Sequence, residues 1–193
     1  GIEDVKIGDT ICNQQSPQAL PRIDVDEPTV SMTFSFNNSP LGGLEGRTIQ
    51  FSRIRERLLK ETLINVAIGV DTTGERDSIL VMGRGEFQLA ILIETMRREG
   101  YEFCVGRPKV IYRYKNGEKL EPMERLMVDC EERFLGVVTE KLSLRKGKMA
   151  NLVNNGKGRV RMEFSVPART LIGYRDEFLT DTRGTGIMHS LFD

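Results

Sequence analysis

Residues 126–166 read LMVDCEERFLGVVTEKLSLRKGKMANLVNNGKGRVRMEFSV, and their pattern predicts a strand, a helix and a hairpin of two strands. Apolar and polar residues alternate from Gly158 to Val166, which is the period of a strand with one buried face. Arg133 to Arg145 carries apolar residues at helical spacing. The Asn-Asn-Gly sequence at 154–156 is typical of a hairpin turn.

The same order of elements extends outward from this stretch. Residues 168–178 and 187–192 add a helix and a last strand to the second half of the chain. Residues 28–114 independently show strand, helix, strand, strand, helix, strand. This order, βαββαβ, is that of the ferredoxin-like or split βαβ unit. The sequence therefore predicts an α+β protein with two tandem ferredoxin-like sandwiches, although the two halves share little residue identity.

The pattern divides the chain into three segments. Residues 1–27 read as the last strand of another domain followed by a proline-rich linker. Residues 28–115 form the first unit and residues 116–193 the second, with the turn-forming Asn-Gly pair at 116–117 between them. The chain starts with Gly1 and ends directly after a strand-like run. We therefore expect it to be a segment of a longer protein.

Composition limits the class of protein. The 193 residues are 39% hydrophobic and 29% charged, as in ordinary globular proteins, and the formal net charge is zero. Bulk charge favours neither nucleic acid nor membrane, so any RNA affinity must come from local clusters. No apolar run is long enough to span a membrane, and the first residues do not show a signal-peptide pattern. Three cysteines without CxxC spacing indicate a reducing compartment, and each is predicted to be a small core residue.

Catalytic motifs are absent from the sequence. It contains neither a phosphate-binding P-loop nor GxSxG, HExxH or a metal-spaced Cys/His set, so no catalytic, cofactor-binding or metal-ligating residue is predicted. The single histidine, His189, is interpreted as structural or solvated. Gly83 and Gly85 flank a strand-to-helix turn. We do not interpret it as a phosphate site, because Glu86 in the first helical turn would repel an anion.

Basic residues cluster in the second unit, where no acidic residue occurs between Leu144 and Met162. A solvated surface that also complements the helix dipole would explain such a cluster. A footprint for a phosphate backbone would explain it too, and the interspersed asparagines favour this second interpretation. The candidate RNA-binding residues of this stretch are Arg145, Lys146, Lys148, Lys157, Arg159 and Arg161.

Several long strings resemble the BipA/TypA family of elongation factor G-like translational GTPases. Residues 82–113 are similar to the third domain of such factors, and residues 120–149 and 166–188 to their fifth domain. Residues 1–11 resemble the end of the second domain, a β-barrel. The loop NNSPLGGLEG at 37–46 is characteristic of the BipA/TypA type.

The connection between the two units also resembles that of the BipA/TypA family. The chain passes directly from the third-type to the fifth-type domain at 115–119, where elongation factor G inserts a fourth domain.

The resemblance implies the ribosome-binding middle portion of a translational GTPase that acts in translation, stress response and ribosome assembly. GTP, magnesium and the hydrolase reaction belong to a GTPase domain outside these residues, so this segment is expected to need no cofactor and to be no enzyme itself. Its implied partners are the ribosome and ribosomal RNA, without DNA or membrane, for a monomeric cytoplasmic protein. The resemblance also adds Arg183, in the loop 180–186, to the candidate RNA contacts.

Other functions stay open. Tandem ferredoxin-like domains also form regulatory modules that bind small molecules, and Gly42, Gly43 and Gly46 offer the glycine-rich loop that such a module uses. An RNA-recognition motif is disfavoured because the exposed strands lack paired aromatic residues for base stacking. A stand-alone enzyme is disfavoured because no acid–base or nucleophile constellation exists.

Overall fold

The computed structural model describes residues 7–21, 27–74 and 76–192. It divides into two compact units, residues 1–108 and 109–193. The second unit thus begins at Lys109, whereas the sequence places the boundary after residue 115. Described residues 7–21 form turns and irregular backbone, and the earlier part of the predicted leader strand, with Ile2 and Val5, lies outside the described residues.

The first unit is built on a sheet with strand order β2-β3-β1-β4 and antiparallel pairing throughout that path. Val30 and Phe34 of the first strand are buried, as the period-two pattern predicts. Phe34 also stacks on Phe103 with ring centroids 5.3 Å apart. The elements are β1 (Val30–Ser35), α1 (Phe51–Ile64), β2 (Gly69–Asp71), β3 (Ser78–Gly83), α2 (Glu86–Arg98) and β4 (Cys104–Val105).

The second unit contains a four-stranded sheet with order β11-β8-β10-β9, again antiparallel throughout. Its elements are β5 (Lys109–Val110), β6 (Arg113–Lys115), β7 (Glu118–Leu120), β8 (Met123–Glu131), a 3₁₀ turn (Glu132–Phe134), α3 (Leu135–Leu144), β9 (Lys148–Asn154), β10 (Arg159–Pro167), α4 (Ala168–Leu171), α5 (Tyr174–Asp181) and β11 (Ile187–Phe192).

Both units have the same strand order when their strands are numbered from one to four, namely 4-1-3-2. With a helix after the first and third strands, this is the ferredoxin-like arrangement. The two predicted ferredoxin-like sandwiches are therefore confirmed, in spite of the low identity between the halves.

Alternation along β8 and β10 separates the two faces of the second sheet. The side chains that point towards the helices form one continuous core, and burying each large apolar side chain contributes about 1.5–3 kcal/mol. The residues between them lie on the opposite face, which we call the open face. The buried core consists of Leu126, Val128, Cys130, Phe134, Val138, Leu142, Val160, Met162, Phe164, Val166, Tyr174 and Phe178.

Two sequence predictions are wrong in extent. The closing strand of the first unit, predicted from Phe103 to Tyr114 with a bend around Gly106 and Pro108, is interrupted at that bend and again at 111–112, and β6 pairs with β7 instead of closing the first sheet. Asn116 and Gly117, with φ of 52° and 83°, form the two-residue turn between β6 and β7. The helix predicted at 168–178 is broken by Gly173, whose φ of 73° is left-handed.

The cysteines correct another prediction. Only Cys130 is buried, whereas Cys12 and Cys104 are exposed. Cys104 belongs to β4, a two-residue strand with both side chains exposed, so there is no apolar layer to cover it. Cys12 lies in the irregular leader.

Candidate nucleic-acid interface

The candidate RNA-binding residues lie at both ends of the second sheet. The exit of α3 and the start of β9 lie at one end, which we call the helix-exit end, with Lys146 and Lys148. The β9–β10 loop and the α5–β11 loop lie at the other end, which we call the hairpin end, with Lys157 and Arg183. The seven residues of β9 between the ends span about 20 Å. The acid-free stretch of sequence therefore does not form one continuous patch.

Arg145 is held inside the unit by three interactions. Its guanidinium donates hydrogen bonds to the Thr170 carbonyl and to the Glu177 carboxylate, both at 2.7 Å. It also lies 5.0 Å from the ring centroid of Tyr174. An arginine with these partners joins the end of α3 to α4 and α5, so its geometry is that of a structural residue.

The ion pairs of α3 and α5 form a ladder. Lys141 lies 2.9 Å from Glu177 and 2.8 Å from Asp181, and Arg145 occupies the next turn. Lys141 and then Arg145 hold the pKa of Glu177 below its usual value through hydrogen bonds. The sequence signal for this ladder is a shared spacing of four residues. It separates the two cations of α3, Lys141 and Arg145, and also the two acids of α5, Glu177 and Asp181. Sequence reasoning missed it because the two pairs lie far apart in the chain.

Arg159 and Arg161 share one carboxylate on the open face. Arg159 contacts Asp129 at 2.6 Å and also donates to the Thr185 carbonyl at 3.3 Å. Arg161 is more exposed and lies 3.7 Å from the same Asp129. Arg159 therefore joins the α5–β11 loop to the sheet, while most of the Arg161 side chain stays accessible to a ligand.

Four of the seven candidates are exposed cations without an ion-pair or hydrogen-bond partner for their side chains among the described residues. They are Lys146, Lys148, Lys157 and Arg183. Sequence reasoning missed Arg125, a further cation of this kind, which is exposed on the open face of β8. The register places Arg125 opposite Ser165, which in turn pairs with Lys148, so Arg125 and Lys148 lie two strands apart, about 10 Å.

The loop that carries Arg183 is tightly built. Buried Thr182 donates its hydroxyl to the Phe178 carbonyl at 2.8 Å and accepts the Gly186 amide at 3.3 Å. A Cβ on Gly186 would lie 2.4 Å from the Phe178 ring, so glycine is required there by close packing. The backbone around Arg183 is therefore fixed before any ligand binds.

The open face of the second sheet carries charged, polar and aliphatic side chains. By register, the described strands place no aromatic residue on it. RNA-recognition modules stack bases on sheet aromatics, so this face is not suited to that mode. His189 lies on this face of β11 and is exposed. Within the part of the chain that the structure describes, no three His, Cys, Asp or Glu residues are grouped so as to hold a metal ion.

The glycine-rich loop of the first unit is filled by a side chain of the protein itself. The Glu102 carboxylate accepts hydrogen bonds from the amides of Gly43, Glu45 and Gly46 at 2.8–3.0 Å and from the Asn37 side chain at 2.7 Å. These donors, led by the amides of Gly43 and Gly46, lower the pKa of Glu102 to about 2. The loop thus has its anion already, and it gives no support to the small-molecule alternative.

The second glycine pair is an ordinary turn, as the sequence predicts. β3 ends at Gly83 and α2 begins at Glu86. The amide of Arg84 donates to the Gln88 side chain at 2.8 Å, so the turn is capped from within the helix. None of the helices in the described ranges is long and apolar enough to cross a membrane.

Comparisons with known proteins cover the whole chain. Residues 118–193 match the family described as "Elongation factor G C-terminus". The proteins named "Large ribosomal subunit assembly factor BipA" from Haemophilus influenzae and Salmonella typhimurium are 50% and 49% identical over 192 residues. The protein of that name from Bacillus subtilis is 46% identical over 193 residues. The alignments include 100% of this chain but only 31–32% of each relative, so the chain spans about a third of their length.

A solved structure supports the fold alone. The crystal structure of a protein from Thermus thermophilus superposes with a TM-score of 0.54 at 14% identity, over 90% of this chain and 41% of that one. The resemblance to BipA/TypA that the sequence indicates is confirmed by the curated relatives. The chain therefore corresponds, along its whole length, to a segment of the BipA-type family of elongation factor G-like proteins.

Proposed function

We propose that this chain is the ribosome-binding middle portion of a BipA-type assembly factor for the large ribosomal subunit. The observation that carries the proposal is the alignment of all its residues, at 46–50% identity, with proteins that bear this name. The GTPase reaction of the whole protein, with GTP and magnesium, belongs to segments outside this chain. The whole protein would act on ribosomes, in translation and in the stress response, as a monomer in the cytoplasm.

The second unit is the part that contacts ribosomal RNA. Its exposed, unpaired cations support this assignment, because a phosphate backbone is bound mainly by lysine and arginine that release counterions. The lack of aromatic side chains on the described open face favours contacts to phosphate over base stacking. Arg145 and Arg159 are already paired inside the unit, so they are the less suitable of the predicted contacts. The more suitable contacts have side chains without a partner among the described residues: Lys146, Lys148, Lys157 and Arg183.

Co-sedimentation of the 193-residue chain with large ribosomal subunits over a salt series tests the proposal. We expect binding at low salt that weakens steeply as salt rises, with each phosphate contact adding about 0.7–0.9 to the logarithmic slope. Reversing the charge at Lys146 and Lys148 together should weaken binding strongly at every salt concentration. No binding of the unaltered chain at low salt would refute the proposal.

A matched control is available in the first unit. Lys60 lies on α1, is exposed and pairs with Glu56 at 3.0 Å. Reversing its charge changes the net charge of the chain by the same amount per residue but alters no proposed contact. Equal losses per reversed charge for this variant and for the Lys146 and Lys148 double variant would show that only bulk charge matters.

A further inference from the structure

The helix α3 ends in a backbone motif that normally contains glycine. The amide of Gly147 donates to the Leu142 carbonyl at 2.8 Å, and the amide of Lys146 donates to the Ser143 carbonyl at 3.0 Å. This pair of bonds is the Schellman motif, whose central residue must be left-handed. Here that residue is Lys146, with φ of 64°.

The helix α5 ends in the same way. The amide of Gly184 donates to the Leu179 carbonyl at 2.7 Å, and that of Arg183 to the Thr180 carbonyl at 3.2 Å. The left-handed residue is Arg183, with φ of 52°. A residue with a Cβ has a higher free energy than glycine in this conformation. Both long helices of the second unit thus place a cation where glycine would be more stable.

The first unit shows the usual arrangement. At the end of α2 the amide of Tyr101 donates to the Met96 carbonyl and that of Gly100 to the Arg97 carbonyl, both at 3.0 Å. The left-handed residue there is Gly100, with φ of 90°. The same motif in one chain therefore contains glycine in one unit and cations in the other.

The helix dipole does not account for the cation at the end of α3. A cation near a helix C-terminus is stabilised by the dipole. α2 obtains this from two arginines in its last turn and keeps glycine at the left-handed position. α3 likewise has Lys141 and Arg145 beside its end. A further cation in the left-handed position is therefore not needed for the dipole of α3. This argument concerns Lys146 alone, because α5 has no basic residue in its last turn.

Lys146 and Arg183 are also cations that have no internal partner. Both are exposed, and the described residues offer neither side chain an ion pair or hydrogen bond. Arg145, one residue earlier, is fully engaged with Glu177 and Thr170. Lys146 shares none of these partners.

We propose that Lys146 and Arg183 are two fixed phosphate contacts, retained for binding at a cost in folding stability. The inference rests on the proposed function and names two of its contacts with the RNA backbone. The sheet register places the two residues at opposite ends and opposite edges of the sheet, on the order of 20 Å apart. They therefore contact separate segments of RNA backbone and fix the orientation of the unit.

Glycine substitutions separate binding from stability. In Lys146→Gly and Arg183→Gly we expect a Tm that is raised by about 2–4 °C. We expect affinity for large ribosomal subunits to fall several-fold in each variant, and the logarithmic salt slope to fall by about 0.7–0.9 for each residue. Protein-free RNA of the large subunit should show the same losses, because the contact is to phosphate.

Two variants in the first unit serve as controls. Arg97→Gln removes a cation from a helix end that is not part of the proposed surface, and it should leave the affinity unchanged. Gly100→Lys introduces the strained cation into α2, and it should lower the Tm without increasing the affinity. A Tm that does not fall in Gly100→Lys would contradict the proposed cost of these positions.

Failure of the inference can be told apart from failure of the proposed function. If the unaltered chain binds neither subunits nor RNA, both are refuted. If it binds and both glycine variants bind equally well with the same salt slope, only the inference is refuted. A loss with subunits but not with protein-free RNA would assign the contact to a ribosomal protein and overturn the phosphate assignment. A lowered Tm in both glycine variants would assign the two cations a structural role instead.

Discussion

Glu102 shows how one side chain organises a loop that sequence alone suggests is a ligand site. Residues 37–46 present several backbone amides in the same direction, which is an anion-binding geometry. The carboxylate of Glu102 fills it with four hydrogen bonds, and a Cβ on Gly46 would lie 2.5 Å from that of Glu102. The glycine at position 46 is therefore explained by the approach of an internal anion.

Stability in acid should depend on this carboxylate. The pKa of Glu102 falls from 4.5 to about 2 on folding, so the folded state favours the ionised form. Its contribution is fully present above pH 4.5 and is lost as the pH falls towards 2. Glu102→Gln is expected to lower the Tm by a few degrees at neutral pH. The difference between the variant and the unaltered chain should disappear towards pH 2 in thermal melts.

Glu45 provides the control for this prediction. It lies in the same loop and is exposed, and only its backbone amide contacts Glu102. Glu45→Gln makes the same change of charge and should leave the melting curve unchanged at all pH values. A Tm difference for Glu102→Gln that stays constant from neutral pH down to pH 2 would contradict the role of the ionised carboxylate.

At the scale of elements, Arg145 joins one helix to the two that follow β10. It bridges the end of α3 to the Thr170 carbonyl and to Glu177 on α5, and it covers the buried ring of Tyr174. Arg145→Ala removes all three interactions. We expect the free energy of unfolding to fall by about 1–2 kcal/mol, since a hydrogen bond to a charged group contributes more than a neutral one.

The measurement is urea denaturation, followed by RNA binding under conditions where the variant is folded. Arg145→Ala should retain the salt slope of the unaltered chain, because its guanidinium already has partners inside the unit. Arg145→Lys keeps the charge but cannot make the same bridges, so it should still be destabilised. A stable Arg145→Ala variant with a reduced salt slope would assign Arg145 to the RNA surface after all.

Periodicity in the sequence predicts most of the elements but not how their ends meet. β8 and β10 follow from alternation because one face of each packs towards the core. β11 is mostly exposed, and only Met188 packs against the core. The break at Gly173 was missed, because a single glycine in an amphipathic pattern does not reveal its φ. The sequence predicts the candidate RNA-binding site as a cluster, because the basic stretch between Leu144 and Met162 can be read directly from the sequence. The opposite roles of Arg145 and Lys146 are not visible, because Glu177 lies 32 residues away from Arg145.

On the scale of the whole molecule, the two units share a strand order, and several charged side chains of α1 in the first unit are paired with one another. In the first unit, Arg57 pairs with Glu61 and Glu99 at 2.8 and 2.6 Å, and Lys60 pairs with Glu56. The candidate RNA contacts whose side chains lack partners among the described residues all belong to the second unit.

Residues 109–193 should consequently fold and bind without the first unit. Their core cluster consists of side chains from this unit, and the segment exceeds the roughly 55–65 residues at which many domains fold alone. We expect dispersed NMR amide signals, a cooperative melt and salt-dependent binding to RNA of the large subunit with the slope of the whole chain. Residues 27–108, prepared in the same way, should bind much more weakly at equal salt. A folded 109–193 segment with no affinity, next to a 27–108 segment that binds, would place the RNA contacts in the first unit, where ion pairs already occupy Arg53, Arg57 and Lys60 of α1.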